Sequence, residues 1–360
     1  MSELDLAREE ISRIDEEMAR LFERRMRSVA KVAAYKKENG LPIRDPGREN
    51  VLIEHCSRLI EDPEVESQYT TFLRQVIDLS CKYQEVLIQG RTVAYAGVEG
   101  AYAHIAARGL FPEARFRGFA GFAEAYRAVE SGECDCAVLP LENSYAGEVG
   151  TVMDLLFTGS LYINQVLDLP VRHGLMACPG TEIGGIKTVY SHSQALHQCA
   201  AFIHSHGWET VECANTALAA QQVKSLNDPT AAAIASEETA ELYGLNLLEG
   251  GINDSANNTT RFAVLSRSQN RPERTGLKDN AGFILLFTVQ NKAGALAQTL
   301  NIIGAHGYNM KTLRSRPMKD LQWNYYFYVE AEGNIASENG EMLMRELGAI
   351  CARLKLVGIY

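Results

Sequence analysis

The chain has no window approaching the roughly 20 consecutive apolar residues that a helix needs to cross a bilayer. Its start, MSELDLAREEIS, is charged throughout and lacks the apolar segment of a secretory signal. A basic excess is missing too. With 45 Asp and Glu against 35 Lys and Arg, the net charge is −10, which argues against a nucleic-acid-binding surface. Small anionic substrates stay possible, because a local cluster of cations overrides the global sign. Paired cysteine spacings are absent as well. Cys56, Cys81, Cys134, Cys136, Cys178, Cys199, Cys213 and Cys351 are scattered through 360 residues, far more chain than a disulfide-stapled scaffold. Cys134-Asp135-Cys136 has neither the two-residue gap nor the second pair of a zinc site, and reads as strand. His192, His197, His204 and His206 have no acidic partner at ligand spacing and read as helix or surface residues, not a metal site. Low-complexity segments and simple repeats are also lacking. These absences describe a reduced, cytoplasmic, soluble protein without nucleic-acid or membrane partners and without metal or cofactor.

What is present is a chain of two or three domains, 46% hydrophobic and 22% charged. Residues 4–36 form one long helix by pattern, with Leu4, Ala7, Ile11, Ile14, Met18 and Leu21 as a seam made for another helix. Continuing the seam reaches Arg25 and Ser28. A guanidinium there is costly unless it meets an anion. Lys36, about three turns on, shares its side, whereas Arg8 points roughly 100° away and suits a different pocket or a partner chain. NGLPIRDPGREN breaks the helix. Further helices are predicted from about Arg48 to Leu59 and from about Val65 to Ile88, the last carrying Ser80 and Gln84 on one face.

From Arg91 the texture alternates. RTVAYAG, CDCAVLPLENS, KTVYS, TAAAIAS and FAVLSR read as strands. AYAHIAARGLF, GTVMDLLF, QALHQCAAFIHSHG, TALAAQQVKSL and EETAELYG read as helices. The alternation predicts an α/β region with parallel sheets, whose ligands sit at strand ends. Residues 266–280 are polar and breaker-rich and contain the linker. After it, GFILLFTVQ, GALAQTLNIIGAHG, MKTLRSR, NYYFYVEAE, GEMLMRELGAICARL and KLVGIY give a βαββαβ order, the ferredoxin-like split unit.

Two constellations stand out. Arg25, Lys36, Arg48, Glu49, Ser80 and Gln84 form either a solvated helix face or a buried anion site. Glu142, Asn143, Ser191, Gln198, Thr260 and Arg261 are each explained singly by turns, caps or edge strands, yet their shared placement at strand ends also fits one cleft. The glycines of AGVEGAYA and the NKAGALAQTL turn before a helix could cradle an anion, although a tight turn explains them equally.

Taken together, AVLPLENSYAG, VYSHSQALHQC, NNTTRFAVLSR and AGALAQTL followed by SRP resemble the chorismate mutase–prephenate dehydratase family, over essentially the whole chain. RDPGRE resembles the loop-to-helix signature of AroQ-type mutases. The resemblance implies an all-α mutase domain at 1–90 and a two-lobed α/β dehydratase domain at 91–268, like a periplasmic binding protein. It also implies a linker at 269–280 and a ferredoxin-like ACT regulatory domain at 281–360. It implies an intertwined dimer, or a higher homo-oligomer, that rearranges chorismate to prephenate. Arg25 and Arg8 would bind carboxylates, Arg8 from the partner chain. Lys36 and Gln84 would meet the ether oxygen. Arg48 and Glu49 would fix the hydroxyl end, supported by Asp45 and Ser80. Conversion of prephenate to phenylpyruvate would use Thr260, with Glu142, Asn143, Ser191, Gln198 and Arg261 lining the cleft. L-phenylalanine would bind as effector at Gly294, Ala295 and Leu296 and at Ser315, Arg316 and Pro317. Arg314 departs from the pattern, which usually has glutamate before SRP. An arogenate-preferring dehydratase and a non-catalytic solute receptor are the alternatives.

Overall fold

The computed structural model describes residues 2–255, 257–270, 281–318 and 324–360. Residues 271–280, most of the expected linker, lie outside the described residues. The chain divides into two compact units, Met1–Thr92 with Glu113–Arg115, and Val93–Pro112 with Phe116–Tyr360. Among the described residues no helix is long and apolar enough to cross a membrane.

The first unit is helical: α1 (Glu3–Asn39), α2 (Pro46–Ser57) and α3 (Pro63–Gln89). Ser2 and Asp5 form a reciprocal capping box at the start of α1, and Gly40 ends the helix in the left-handed conformation. Both later helices begin two residues before the sequence expectation. Pro46, in the segment read as a breaker, is also a starter: Asp45 and Asp62 cap, and Pro46 and Pro63 take first positions whose N–H would be unpaired anyway. Leu73, Ile77 and Cys81 of α3 form a small core with Ile43 and Ile53 against them. The α1 seam is open in the single chain, with Leu4, Ile11, Ile14, Met18 and Leu21 between 43% and 60% exposed.

The second unit begins with β1 (Thr92–Ala96), α4 (Tyr102–Leu110), β2 (Arg115–Phe119), α5 (Phe122–Glu130), β3 (Cys136–Asn143), β4 (Gly147–Glu148), α6 (Gly150–Thr158) and β5 (Tyr162–Pro170). The chain then passes into a second sheet through β6 (His173–Ala177), β7 (Thr188–Ser191), α7 (Ser193–Gln198), α8 (Ala200–His206), β8 (Glu209–Glu212), α9 (Thr216–Leu226), β9 (Ala231–Ser236), α10 (Glu237–Tyr243) and β10 (Asn246–Glu249). It returns to the first sheet as β11 (Thr259–Ser266). The small sheet has the order β10-β6-β9-β7-β8.

The expectation of parallel sheets is corrected here. β1 and β3 are parallel, as are β7 with β8 and β9, but β11 runs antiparallel to both β3 and β5, and β6 antiparallel to β9 and β10. The reason is the connection. Strands passing directly between the sheets, without a crossover helix, enter in the opposite sense. Two smaller readings change as well. QALHQCAAFIHSHG is two helices broken at Cys199, whose φ of −120° and ψ of 20° leave the helical region. Cys134 lies in a bend before β3.

The C-terminal segment contributes β12 (Gly282–Thr288), helix Ala295–Ala305, β13 (Asn309–Pro317), β14 (Tyr325–Glu332), helix Glu338–Ile350 and β15 (Arg353–Ile359). Its strands lie antiparallel in the order β13-β14-β12-β15 and continue the large sheet through β5, giving β13-β14-β12-β15-β5-β11-β3-β1-β2. Ile284, Leu286, Tyr326 and Val357 share one core with Leu139, Leu156 and Ile163.

At the junction, Gly358 opposes Ile163, and a Cβ on Gly358 would come within 2.8 Å of the Ile163 Cβ and carbonyl oxygen. Gly358→Ala is therefore expected to destabilise the second unit by about 1–3 kcal/mol, read as a lowered calorimetric Tm. Gly348→Ala, with nothing within 4 Å of the new methyl, is expected to leave Tm unchanged or raise it.

Candidate active sites

In the helical unit a pocket of about 240 Å³ gathers Arg25, Lys36, Asp45, Arg48, Glu49, Ser80 and Gln84. These are all the helical residues singled out from sequence except Arg8, which lies about 25 Å along α1 from Arg25 at 1.5 Å per residue. Arg25 Nη1 donates to Ser80 Oγ, and Lys36 Nζ to the Ile43 carbonyl. Partial burial pulls the Arg25 pKa down, as expected of a cation without an anion beside it. Asp45 Oδ1 accepts from Arg48 N at 3.1 Å and Glu49 Oε1 from Asp45 N at 3.3 Å, so the RDPGRE turn fixes where these side chains leave the backbone. Gln84 Nε2 donates to the Ser80 carbonyl at 3.3 Å, and its buried Oε1 has no partner. Three cations in one concavity suit an anion, and the unpaired Gln84 Oε1 suits a ligand that also carries a hydrogen-bond donor such as a hydroxyl.

In the second unit a cleft of about 300 Å³ lies between the two sheets. It contains Asn143, Gln198 and Thr260 from the predicted set, together with Tyr102, His173, His192, Gln194, Asn215 and Thr216, which sequence reasoning did not select. Only their positions at element ends could have flagged them. Asn143 fixes the chemistry. Its Oδ1 accepts from Tyr145 N at 3.1 Å and Ala146 N at 2.9 Å, which settles the orientation of the amide. Nδ2 then donates to Asn258 Oδ1 at 2.8 Å and to Thr260 Oγ1 at 3.0 Å. Since Thr260 Oγ1 receives a hydrogen bond from Asn143, its own proton is available to the cleft.

The other three predicted residues are placed elsewhere. Ser191 is fully buried, its hydroxyl donating to the Ile234 carbonyl at 2.6 Å. Glu142 and Arg261 are registered neighbours on β3 and β11. Side chains alternate along a strand, so they point away from the face carrying Asn143 and Thr260, and neither lines the cleft.

Comparison with known proteins follows the same division. A family described as chorismate mutase type II matches residues 7–85, and one described as prephenate dehydratase matches residues 93–270. The bifunctional chorismate mutase/prephenate dehydratase of Enterobacter agglomerans is 34% identical, over 98% of this chain and 94% of its own length. The chain belongs to the bifunctional chorismate mutase/prephenate dehydratase family. It is thus an enzyme with an isomerase and a lyase part. The structure of a prephenate dehydratase from Arthrobacter aurescens in complex with L-Phe is 28% identical and covers 75% of this chain and 89% of that one, with a TM-score of 0.69. GqqA, described as a quorum-quenching acylase, is 30% identical over 75% of this chain and 97% of its own, also with a TM-score of 0.69.

Behind the cleft, Arg261 holds Asp168 through two bonds, Nε–Oδ1 at 2.8 Å and Nη2–Oδ2 at 3.1 Å. Its Nη1 reaches both oxygens of Glu330, at 3.0 and 3.1 Å. The Tyr360 hydroxyl donates to Glu330 as well. The hydrogen bond from Arg261 holds the Asp168 carboxyl below its usual range. Arg314 pairs with Glu142, and Arg316 with Asp154 at 3.0 Å and with Glu148.

Arg261→Leu leaves the nearly buried Glu330 without its cation. The expected cost is about 1–3 kcal/mol, read by thermal unfolding at pH 7. Asp168 has a lowered folded pKa, so its part of this stabilisation is present above the ordinary Asp range and lost as pH falls through the lowered value. The gap in Tm between wild type and variant should narrow on that descent.

Proposed function

We propose that the helical unit rearranges chorismate to prephenate and that the cleft between the two sheets converts prephenate to phenylpyruvate. One observation carries the reading: the Asn143–Thr260 hydrogen bond, which leaves a hydroxyl proton facing a cleft closed off from the Arg261 network.

For the mutase, catalysis requires holding a dicarboxylate in its folded conformer and stabilising charge that builds on the ether oxygen. Arg25 anchors a carboxylate. Lys36 and Gln84 donate to the ether oxygen once substrate displaces their present bonds to backbone. Arg48 and Glu49 fix the hydroxyl end, with Asp45 and Ser80 in support. Arg8 serves the pocket of a second copy, and the exposed α1 seam is the surface on which that copy packs.

For the dehydratase, the bond to the ring carboxylate breaks and its electron pair enters the ring as carbon dioxide leaves. The C–O bond to the ring hydroxyl breaks in turn with its electron pair on oxygen, which leaves as hydroxide and takes its proton from solvent water. Thr260 donates a hydrogen bond to that oxygen and positions it, held by Asn143. A threonine hydroxyl is too weak an acid to do more at neutral pH.

The C-terminal βαββαβ segment acts as an ACT domain binding phenylalanine, with Gly294–Leu296 at the start of its first helix and Ser315–Pro317 on β13. Arg314 and Arg316 tie β13 to Glu142 and to Glu148 and Asp154, so an effector that shifts β13 pulls on the strand carrying Asn143. Dehydratase activity is expected to fall on titration with L-phenylalanine. Full activity at millimolar ligand would remove the regulatory reading.

Incubation with chorismate alone, followed by monitoring of chorismate, prephenate and phenylpyruvate, tests both sites. Wild type should reach phenylpyruvate through prephenate. Thr260→Ser should do the same, while Thr260→Val stalls at prephenate. Asn143→Asp should stall there too, by about 100-fold or more in kcat, because a carboxylate has no proton to give and takes the Thr260 proton for itself. An active Thr260→Val variant would defeat the assignment. Prephenate accumulating in wild type would make arogenate the next substrate to try.

A further inference from the structure

If prephenate occupies the dehydratase cleft, the cleft must hold a dianion, yet no Arg or Lys is among the described residues lining it. Only its two imidazoles can become cationic, and their surroundings differ. His192 is the N-cap of α7, and its Nδ1 accepts from Gln194 N at 3.3 Å. That bond uses the Nδ1 lone pair, so this nitrogen accepts and does not donate.

His173, 2% exposed at the start of β6, meets oxygen on both sides. Its Nδ1 lies 3.1 Å from the Tyr102 hydroxyl oxygen. Tyr102 donates its own proton to the Arg172 carbonyl at 2.7 Å, so toward the ring the phenol can only accept. On the other side Nε2 lies 2.9 Å from Gln198 Oε1, also an acceptor. A ring that donates from both nitrogens is an imidazolium. Gln198 Nε2, buried and without a partner, is left as a spare donor on a cleft-lining residue.

The other surroundings add little opposing charge. His173 N donates to Asn253 Oδ1 at 2.7 Å, and its cross-strand neighbour is Ser236 on β9. Burial raises both the Tyr102 phenol and the Cys199 thiol, the latter to about 12, so both are neutral. The nearby acids are Glu237 and Glu238 at the start of α10, which act on Tyr102, and Asp254, which caps Ala201 N. Against the imidazolium stands burial, which lowers the His173 pKa in the empty cleft while the Gln198 bond raises it. An arriving dianion reverses the balance.

We propose that His173 is a positioning residue that takes up a proton as the dianionic substrate enters, supplying the cleft's positive charge and turning the Gln198 amide N–H toward the substrate carboxylate. This rests on prephenate being the substrate of the cleft.

The test is the pH dependence of dehydratase kcat and KM with prephenate, from pH 5.5 to 8.5. Because the protonated ring binds, kcat/KM should be level at low pH and fall about tenfold per pH unit above the free-enzyme pKa. The substrate raises that pKa in the complex, so kcat should stay level and the change should appear in KM. His173→Asn should lose the slope, with kcat/KM at pH 6 lowered by about tenfold or more through KM. Tyr102→Phe keeps the imidazole but removes the Nδ1 acceptor, and should move the fall to lower pH. It therefore answers the question even if the first variant does not fold. A level wild-type profile, an unchanged slope in His173→Asn, or a loss confined to kcat would overturn the proposal. The first of these would mean a neutral ring with the Gln198 amide turned over. Wild-type protein that ignores prephenate but converts another substrate would instead remove the substrate assignment.

Discussion

The cleft between the two sheets depends on a single side-chain amide. Asn143 stands at the end of β3, where two backbone N–H groups of the following turn fix its oxygen, leaving its nitrogen to hold both Asn258 and Thr260. Strand β11 is thereby locked at the point where the chain returns from the second sheet. A third bond accepted by Asn143 Oδ1, from Gln194 Nε2 at 3.3 Å, comes from α7 after the small-sheet strand β7. The residue thus links the turn, the returning strand and the opposite wall of the cleft, and the direction of the Thr260 proton follows from these bonds.

The strand's two faces then divide the work. Thr260 faces the cleft and Arg261 the C-terminal segment, one residue apart, as a period of two demands. Arg261 is engaged by Asp168 and Glu330, so the guanidinium next to Thr260 is structural. The two pockets therefore offer an anion different partners. The helical pocket presents permanent cations, whereas the dehydratase cleft is lined by amides, hydroxyls and imidazoles.

Much of this organisation was legible in the sequence. The helical seam gave the long first helix, and its interruption at Arg25 pointed to the pocket that gathers Arg25 with Lys36, Arg48 and Ser80, because a cation on an apolar stripe is costly without a partner. The switch from polar loops to apolar runs located most strands. Sheet direction was not legible, since it depends on whether a strand returns through a helix or straight across, a non-local choice. Nor was the fate of Glu142 and Arg261. Adjacency in a motif says nothing about which face of a strand a side chain takes until the register is known. Tyr102 and His173 were hidden for a different reason. They are 71 residues apart, and each alone reads as an ordinary core residue.

The continuity of the large sheet carries a last consequence. The C-terminal strands meet β5 through Gly358 and Ile163, and Lys355 Nζ donates to the Leu156 carbonyl at 3.0 Å, near the end of α6. Cutting the chain before β12 would turn β5 into an unprotected edge strand beside an apolar face stripped of Ile284, Leu286 and Val357. Such an edge invites pairing with other chains. A chain truncated there would therefore face aggregation, and the role of the C-terminal segment is better probed by point substitutions that leave the seam intact.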